Sequence, residues 1–376
     1  MKSLKSFRHI HVNHYKRSTP PISVPLNKLF SGNFPLPLKQ SFLDYKNRKN
    51  LKSFQDNLLR LIPFYPTSKN GVSSQVISTD IGNDNYINEF VIFPNESTRK
   101  NYSKANHLIM IHGYGSGLGL FIKNFPALIK DNWVIHAIDL LGYGCSSRPP
   151  FTPKNFDEVE SWFHDSYKTW SEKRGIPSNN LVLAHSMGGY LMASYGMKYP
   201  EFCKKMIMAS PGGIIHHRNP INIPSYFTKL WERNISPFSL VRNAHIYGSK
   251  LVSAWSYRRF SKLSFKEIQA LHHYVYGIFQ APGSGEYMLN YLLKPGAEPR
   301  FPMTERPLEK VKFDIDWWYG SDDWMNIEGA NILSRRLRNE GLNSTVLTIS
   351  GSGHHVYLDN YHTFNRLLLQ EMDKLS

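Results

Sequence analysis

The sequence predicts an α/β fold, in which a mostly parallel central sheet is flanked by helices and carries an inserted helical cap. Two observations predict this fold. Short apolar segments alternate with helical stretches along most of the chain, which is typical of a parallel sheet covered on both faces. One of these segments ends at a serine in a sharp turn that leads directly into a helix. In such sheets the functional residues lie beyond the carboxyl ends of the strands.

Length and charge limit the classes of protein to consider. A chain of 376 residues with 41% hydrophobic residues can bury a large core. The formal net charge of +16 has three candidate explanations: binding to nucleic acid, contact with an anionic membrane surface, or import into an organelle. Zinc-finger spacing and RNA-binding signatures are missing, so we expect no nucleic-acid partner and favour peripheral contact with an anionic membrane. The oligomeric state is left open.

Cys145 and Cys203 are the only cysteines of the sequence. Two cysteines cannot form a disulfide framework, and neither has further ligands at metal spacing. We therefore expect a reducing compartment, no metal and no cofactor. No apolar run reaches the length of about 18 residues that a membrane-spanning helix needs, so a soluble or peripheral protein is expected.

Residues 1–66 are predicted to form a basic N-terminal extension. Residues 1–43 contain no Asp or Glu, while basic residues are spread among Ser, Leu and Phe, as in a mitochondrial presequence. This composition predicts a mitochondrial protein on the matrix side of the inner membrane, with the cytoplasm or a lipid droplet as the alternative location. A disordered basic tail that binds lipid or nothing is the other interpretation, because the basic excess continues beyond residue 43.

Strands are expected from Ser74 onward. Gln75–Thr79 and Tyr86–Phe93 flank a turn of Gly, Asn and Asp residues and are predicted to form an antiparallel pair. Later apolar segments are predicted to be strands of an α/β core that spans residues 67–211 and 301–376. These segments are Leu108–Ile111, Val134–Ile138, Leu181–Leu183, Met206–Met208, Ile315–Tyr319 and Val346–Ile349.

Residues 212–300 interrupt the alternation and are predicted to form a cap over the site. The segment is dense in aromatic and basic residues, among them Arg258 and Arg259. Aromatic side chains of a helical cap mostly form its own small core, but their mixture with bases also suits a surface that meets anionic lipid. The pairs His216-His217 and His272-His273 have no carboxylate at ligand spacing and are interpreted as surface or packing residues.

The segment around Ser186 predicts a nucleophile. Asn180–Leu183 has the character of a buried strand, and a helical pattern begins at Gly189, so Ser186 stands at a strand-turn-helix junction. The residues two before and two after such a serine must be small, and here they are Ala184 and Gly188. An incidental serine at the end of a buried strand is the alternative interpretation.

An activated serine needs a base, and the base needs an acid that orients it. In this architecture the acid precedes the histidine in the chain, and each follows a late strand. Asp322 and Asp323 follow the expected strand Ile315–Tyr319, and His354 and His355 follow the last strand. The residues alone leave open which member of each pair takes part.

The glycine-rich segment His112-Gly113-Tyr114-Gly115 follows the expected strand that ends at Ile111. Glycine allows the backbone to approach a ligand closely with a free N–H group, as an oxyanion donor must. A phosphate-binding loop is the competing interpretation. Neither its Lys-Ser/Thr ending nor the spacing of a dinucleotide fingerprint is present.

Together these residues resemble a known family. The chain is similar to lipases and esterases of the α/β-hydrolase fold, and more closely to the branch that contains N-acylphosphatidylethanolamine lipase, a triglyceride-lipase coactivator and the fungal mitochondrial cardiolipin-specific deacylase. The similarity covers roughly Leu108 to Asp359. The matching segments are His112–Gly115, Asp139–Gly144 with Ser147–Pro149, His185–Gly189, Ser284–Tyr287, Gly320–Trp324 and Gly353–Asp359.

The resemblance implies a catalytic triad of Ser186 as nucleophile, Asp323 as acid and His354 as base. Asp323 matches the family spacing Gly-x-x-Asp better than Asp322 does. The resemblance also implies the N–H groups of Tyr114 and Met187 as the oxyanion hole. The expected function is that of a carboxylic ester hydrolase that deacylates phospholipids. The basic composition extends this expectation to an anionic mitochondrial lipid such as cardiolipin.

Two other functions stay open. The same branch includes lysophospholipid acyltransferases, which act on lysophosphatidic acid and whose activity is attributed to a His-x4-Asp motif. His354 and Asp359 have this spacing. The second alternative is a non-enzymatic lipase-binding or lipid-droplet partner, as in the coactivator. That protein lacks the nucleophile, whereas this chain has Ser186.

Overall fold

An eight-stranded, mostly parallel sheet organises the fold in the computed structural model of the chain. The structure describes residues 35–218 and 225–376. Most of the predicted targeting segment, residues 1–43, lies outside the described residues. The strands are β1 (Ser73–Gly82), β2 (Asn85–Phe93), β3 (Asn106–Ile111), β4 (Trp133–Ile138), β5 (Leu181–His185), β6 (Lys205–Ala209), β7 (Leu293–Lys294), β8 (Glu298–Pro299), β9 (Asp314–Gly320) and β10 (Val346–Ile349).

The strand order of the large sheet is β1-β2-β4-β3-β5-β6-β9-β10, while β7 and β8 form a separate hairpin. Strand β2 pairs antiparallel with β1 and β4, and the neighbouring strands in the series β4-β3-β5-β6-β9-β10 pair in parallel. Every segment predicted as a strand lies in this sheet, including the antiparallel pair. The predicted fold class is therefore confirmed.

Helices cover the sheet and build the cap, and local sequence signals set their ends. Asn155 caps the helix that begins at Phe156 by accepting from the N–H of Glu158, and Gly175, with a φ of 63°, ends that helix. No helix in the described ranges is both long and apolar enough to cross a membrane. The helices are α1 (Leu38–Asn47), α2 (Leu51–Leu59), α3 (Glu96–Lys100), α4 (Phe156–Arg174), α5 (Met187–Lys198), α6 (Ser225–Glu232), α7 (Pro237–Asn243), α8 (Gly248–Arg259), α9 (Phe265–Gln280), α10 (Leu289–Leu292), α11 (Glu328–Asn339), α12 (Val356–Asp359) and α13 (Tyr361–Leu375).

The two faces of the sheet each carry a large hydrophobic core. Trp317 and Trp318 are adjacent in β9, both are buried, and they belong to different core clusters. Successive side chains of a strand point to opposite faces, so a strand covered on both faces is apolar without alternation. This explains why the parallel strands appear in the sequence as continuous apolar runs.

The described part of the predicted N-terminal extension is packed on the cap. Helix α1 contacts α8, and α2 contacts α9. A side chain at Gly277 of α9 would bring its Cβ to 2.8 Å from the ring of Phe54 in α2. Leu58 and Leu59 of α2 are completely buried. The two helices are thus integrated in the fold, while the division of the chain at residues 66, 211 and 300 stays a prediction.

Several basic residues of the cap are bound inside the protein. Arg242 pairs with Glu286 at 2.6 Å, and Arg259 pairs with Asp359 at 2.8 Å. Nζ of Lys250 donates to a backbone carbonyl at 2.7 Å, and this lysine is only 2% exposed. The interpretation of the cap bases as a lipid-facing surface is therefore corrected for these three residues.

Candidate active site

Ser186 stands at the junction between β5 and α5. Its φ of 51° and ψ of −119° lie in a region that residues other than glycine rarely adopt. A side chain at Gly188 would place its Cβ 2.3 Å from the backbone oxygen of His112. The turn therefore needs a residue without a side chain two positions after the serine, as the sequence predicts.

His354 lies between Ser186 and Asp323. Its Nε2 is 2.9 Å from Oγ of Ser186, and its Nδ1 is 3.2 Å from Oδ1 of Asp323. These residues meet because they follow β5, β10 and β9, which are parallel strands with their carboxyl ends at one edge of the sheet. The geometry is that of a nucleophile, a base and an acid that orients the base.

Asp322 and Asp323 have different surroundings. The side chain of Asp323 is 2% exposed, and its Oδ1 also accepts the backbone N–H of Met325 at 3.1 Å. Asp322 is exposed, and its Oδ2 accepts from the hydroxyl of Ser321 at 3.3 Å. The structure thus brings Asp323 to His354, which the sequence reasoning without the family resemblance could not decide.

Tyr114 and Met187, the residues predicted to supply the oxyanion hole, line the same cavity as Ser186. Met187 is the first residue of α5, so its N–H group has no partner within that helix. Tyr114 follows β3 and is stacked on Phe238 of the cap at a ring distance of 5.3 Å. The two predicted donors therefore lie on either side of the serine, one in the loop after β3 and the other at the start of α5.

His112 supports the loop that carries Tyr114. Its Nδ1 lies 2.7 Å from the carbonyl oxygen of Gly113, and its Nε2 lies 3.0 Å from the backbone nitrogen of Leu140. Burial lowers the pKa of His112. The neutral ring donates from Nδ1 and accepts the Leu140 N–H at Nε2, so this histidine links the loops that follow β3 and β4.

A cavity of about 360 Å³ lies over Ser186 and His354. Its walls are mostly apolar, and no Lys or Arg occurs among the described residues that line it. The apolar part of the lining includes Ile214, Ile215, Trp231, Leu289, Leu292 and Met325. Such a cavity over Ser186 suits a long apolar group better than a polar or charged one.

Trp324 also lines the cavity, next to His354. It is 62% exposed, and its ring centroid lies 5.2 Å from that of His354. Trp324 belongs to the family-like segment Gly320–Trp324, and the sequence predicts no role for it. Its position after the predicted acid is the signal that could have identified it as a neighbour of the site.

Asp359 supports the loop that carries His354. Its Oδ1 is 2.8 Å from Nη1 of Arg259 in the cap, and its Oδ2 accepts from Nη2 of Arg259 at 2.8 Å. The same Oδ2 accepts the backbone N–H of Gly353 at 2.8 Å. Both oxygens of the acid in the His-x4-Asp spacing are therefore engaged in holding the loop to the cap.

His185 and His355 pack around His354 from behind. Nε2 of His185 lies 3.0 Å from the carbonyl oxygen of His354, and Nδ1 of His355 accepts from Nε of Arg259 at 3.0 Å. Burial lowers the pKa of His185 and of His355 well below the usual value. These neutral rings pack against His354 and place no positive charge beside it. Of the three histidines, His354 is the one that contacts Ser186.

The other histidine pairs contact carboxylates and hydroxyl groups in and beside the cap. His216 pairs with Glu298 and Glu305, and His272 is fully buried between serine hydroxyl groups. In the part of the chain that the structure describes, no three His, Cys, Asp or Glu side chains are grouped where they could hold a metal ion.

Comparison with known proteins supports the fold and the chemistry. The model of the alpha/beta hydrolase fold family matches residues 106–361. A probable 1-acylglycerol-3-phosphate O-acyltransferase of Oryza sativa subsp. japonica is 33% identical over 291 residues, which are 73% of this chain and 68% of that protein. The (lyso)-N-acylphosphatidylethanolamine lipase of Homo sapiens is 33% identical over 282 residues, which are 71% of this chain and 79% of that protein.

Solved structures agree on the fold. The naproxen esterase of Bacillus subtilis superimposes with a TM-score of 0.57 and 15% identity over 86% of this chain and 96% of that chain. The bromoperoxidase of Bacillus anthracis gives a TM-score of 0.56 and 18% identity over 80% of this chain and 100% of that chain. At these identities the likeness concerns the fold alone.

Proposed function

The chain belongs to the α/β-hydrolase fold family and is a hydrolase that acts on esters, and from this premise we propose that it deacylates phospholipids with Ser186 as the nucleophile. The observation that carries the proposal is the hydrogen-bonded series from Ser186 through His354 to Asp323, at the base of an apolar cavity.

The proposed mechanism begins when Oγ of Ser186 attacks the acyl carbonyl carbon. Nε2 of His354 takes the serine proton and later returns it to the leaving alcohol, which is a lysophospholipid. Asp323 holds Nδ1–H of His354 and stabilises the imidazolium while it exists. Water, deprotonated by the same histidine, then attacks the acyl-enzyme and releases the fatty acid.

We assign stabilisation of the negative charge on the carbonyl oxygen to the N–H groups of Tyr114 and Met187, which would donate hydrogen bonds to it. Such donors are fixed before the reaction and reorganise little as the charge develops. Removal of one donor from an oxyanion hole typically costs about 2.7–4 kcal/mol of transition-state stabilisation. Met187 has the further advantage of the helix start, where the α5 dipole favours negative charge.

The cavity suits the hydrocarbon chain of the acyl group whose carbonyl carbon Ser186 attacks. Its apolar walls and its volume of about 360 Å³ suit hydrocarbon. The name of the human relative, a (lyso)-N-acylphosphatidylethanolamine lipase, favours a phospholipid over a simple ester. A lipid substrate also explains the exposed Trp324 beside His354, since aromatic rings at a lipid interface are favourable.

An anionic lipid such as cardiolipin is the proposed substrate within this class. The net charge of +16 supports this substrate class, because basic residues near an anionic membrane surface attract the protein to that surface. The described cavity lining holds no Lys or Arg, so the preference would arise where the protein surface meets the membrane and not within the cavity. Mitochondrial import stays a prediction, which a fluorescent reporter fused to residues 1–43 would test.

Acyl transfer is the second candidate. Several relatives carry the name 1-acylglycerol-3-phosphate O-acyltransferase, and a lysophospholipid could replace water as the group that attacks the acyl-enzyme. The non-enzymatic alternative is not supported, since the serine and its base are hydrogen-bonded in the position for catalysis.

The experiment measures fatty-acid release from cardiolipin and from phosphatidylcholine vesicles at low and high salt, with lysophosphatidic acid added in a parallel assay. We expect faster hydrolysis of cardiolipin at low salt and no hydrolysis by Ser186→Ala. Equal, salt-insensitive rates on both lipids would remove the anionic preference. A new diacyl product in place of free fatty acid would make the chain an acyltransferase. Full activity of folded Ser186→Ala would contradict the mechanism.

A further inference from the structure

Helix α1 has the reverse of the usual amphipathic arrangement. Its polar residues Ser41 and Asp44 are only 0% and 3% exposed. Its apolar residues Leu38, Phe42 and Leu43 are 38%, 43% and 41% exposed. A surface helix normally turns its apolar side chains toward the core, so α1 presents its apolar face in the opposite direction.

Specific hydrogen bonds hold the polar side of α1 against the cap. The hydroxyl of Ser41 donates to the carbonyl oxygen of Ile246 and accepts the backbone N–H of Lys250 at 3.1 Å. Asp44 accepts from the hydroxyl of a buried serine in α8, and its Oδ1 is 3.2 Å from Nε2 of His273. A buried carboxylate without partners would be costly, so these bonds determine which side of α1 faces outward.

The outward side of α1 is basic as well as apolar. Lys39, Lys46 and Lys49 are exposed on or just after the helix, and Nζ of Lys46 lies 4.7 Å from the centroid of the Phe42 ring. Residues 36–55 contain five basic residues and a single acidic one, Asp44, which is buried. The exposed surface of this segment therefore combines hydrocarbon with positive charge.

We propose that this docking face, formed by Leu38, Phe42 and Leu43 with Lys39 and Lys46, binds an anionic phospholipid bilayer. The helix would lie in the plane of the interface, with the apolar side chains among the acyl chains and the lysines at the headgroup phosphates. The inference rests on the proposed function only in that a phospholipid hydrolase must reach its substrate in a membrane.

The cap connects the docking face with the site. Helix α1 packs on α8, and α7 packs on the same helix. Phe238 of α7 is stacked on Tyr114 of the predicted oxyanion loop, while Leu240 of α7 is 66% exposed. Contact of the docking face with a bilayer would therefore bring the cap next to the membrane. The cap helix that contacts Tyr114 at the cavity would come close to the membrane with it.

The test places a probe on the docking face. Cys145 and Cys203 are both buried, so Leu43→Cys in the full chain adds the one accessible thiol among the cysteines, and an environment-sensitive fluorophore is attached to it. Val76→Cys, at an exposed position of strand β1, is the matched control. We expect blue-shifted emission from the Leu43→Cys probe with vesicles of phosphatidylcholine and cardiolipin, a weaker response in high salt, and no shift from the control.

Several outcomes would overturn the proposal. One is a Leu43→Cys probe that does not respond to anionic vesicles, and another is a control probe that responds equally. A probe that is already blue-shifted without vesicles would also overturn it. In that case, a blue shift that depends on protein concentration would show that a second copy covers the docking face. A blue shift that does not depend on concentration would show that another segment of the same chain covers it.

A second measurement separates this proposal from the proposed function. The double variant Phe42→Ser, Leu43→Ser should bind anionic vesicles at least about tenfold more weakly, since two large apolar side chains no longer enter the bilayer. Its turnover of a soluble short-chain ester should equal that of the parent, as should that of Val76→Ser. Equal loss of ester turnover and vesicle binding would make α1 a structural helix. Failure of the parent to hydrolyse phospholipid while it still binds vesicles would contradict the proposed function alone.

Discussion

Ser186 combines backbone strain with access to the base. A residue with a side chain at a φ of 51° and a ψ of −119° is maintained only where the surrounding structure supports it. Here the backbone N–H of Ser186 donates to the carbonyl oxygen of Ala209 at 3.0 Å, and its carbonyl oxygen accepts from Gly212 at 3.2 Å. The end of β6 and the segment that follows it thus hold the turn that directs Oγ toward His354.

Asp323 and Asp322 offer a matched pair of variants at the residue scale. Asp323→Asn should lower kcat by about 10⁴-fold, because an amide at this position no longer orients the N–H of His354 or stabilises its charge. Asp322→Asn should cost less than tenfold, since this side chain is exposed and contacts a serine hydroxyl. Steady-state kinetics on a soluble ester measure both. The opposite ranking would move the acid to Asp322.

At the scale of elements, the cap holds the loop between β10 and α12. Nζ of Lys262 donates to the carbonyl oxygen of Gly351 at 2.9 Å, while Arg259 binds His355 and Asp359 on the other side of His354. His354, the proposed base, therefore belongs to a loop that the end of α8 and the following turn keep in place. Movement of the cap would change the position of the base as well as the access to the cavity.

Arg259→Ala should lower kcat on a soluble ester by about tenfold or more, because a displacement of the base by a fraction of an ångström already affects proton transfer. Arg259→Lys should recover only part of this loss, since an ammonium group cannot bind both Asp359 oxygens and His355 in the same geometry. Exposed Lys266→Ala, on the next cap helix, controls for the loss of one positive charge.

If Arg259→Ala affected only hydrolysis in vesicles and left soluble-ester turnover unchanged, Arg259 would act at the membrane surface. That result would restore the interpretation that the sequence alone suggested for this residue. The comparison of the two substrates therefore separates support of the loop from attraction to lipid.

At the scale of the whole molecule, burial keeps several histidines neutral. Burial lowers the pKa of His164 to about 4, and Nε2 of this residue donates to the carbonyl oxygen of Leu191 at 3.1 Å. In the unfolded chain the pKa returns to about 6.5. Below that pH the unfolded state binds the proton and the folded state does not, so stability decreases as the pH falls from about 6.5 toward 4.

The protein should therefore unfold more easily at pH 5 than at pH 7, and His164 alone should account for about 2 kcal/mol of the difference. His164→Gln retains a donor for the Leu191 carbonyl but does not titrate, so its urea-unfolding midpoint should change less between these two pH values. His362→Gln, at an exposed histidine, should behave like the parent. An unchanged pH dependence in His164→Gln would contradict the assigned cause.

The sheet, the turn at Ser186 and the strand ends that carry the proposed acid and base could all be predicted from the sequence. Each is encoded in a few consecutive residues: apolar runs for buried strands, small residues around Ser186, and polar residues directly after a strand. The rule that parallel strands share a functional edge then brings distant segments together without further information.

Which side chains of those segments meet, and which surfaces stay exposed, depends on the tertiary structure. Adjacent residues of a turn point in different directions, so Asp323 and not Asp322 reaches His354. Arg259 and Asp359 are 100 residues apart, and no local pattern pairs them. Hydrophobic periodicity would turn the apolar side of α1 inward. The hydrogen bonds of Ser41 and Asp44 with the cap reverse this orientation of α1. Buried polar groups need hydrogen-bond partners, and for these two residues the partners lie in the cap.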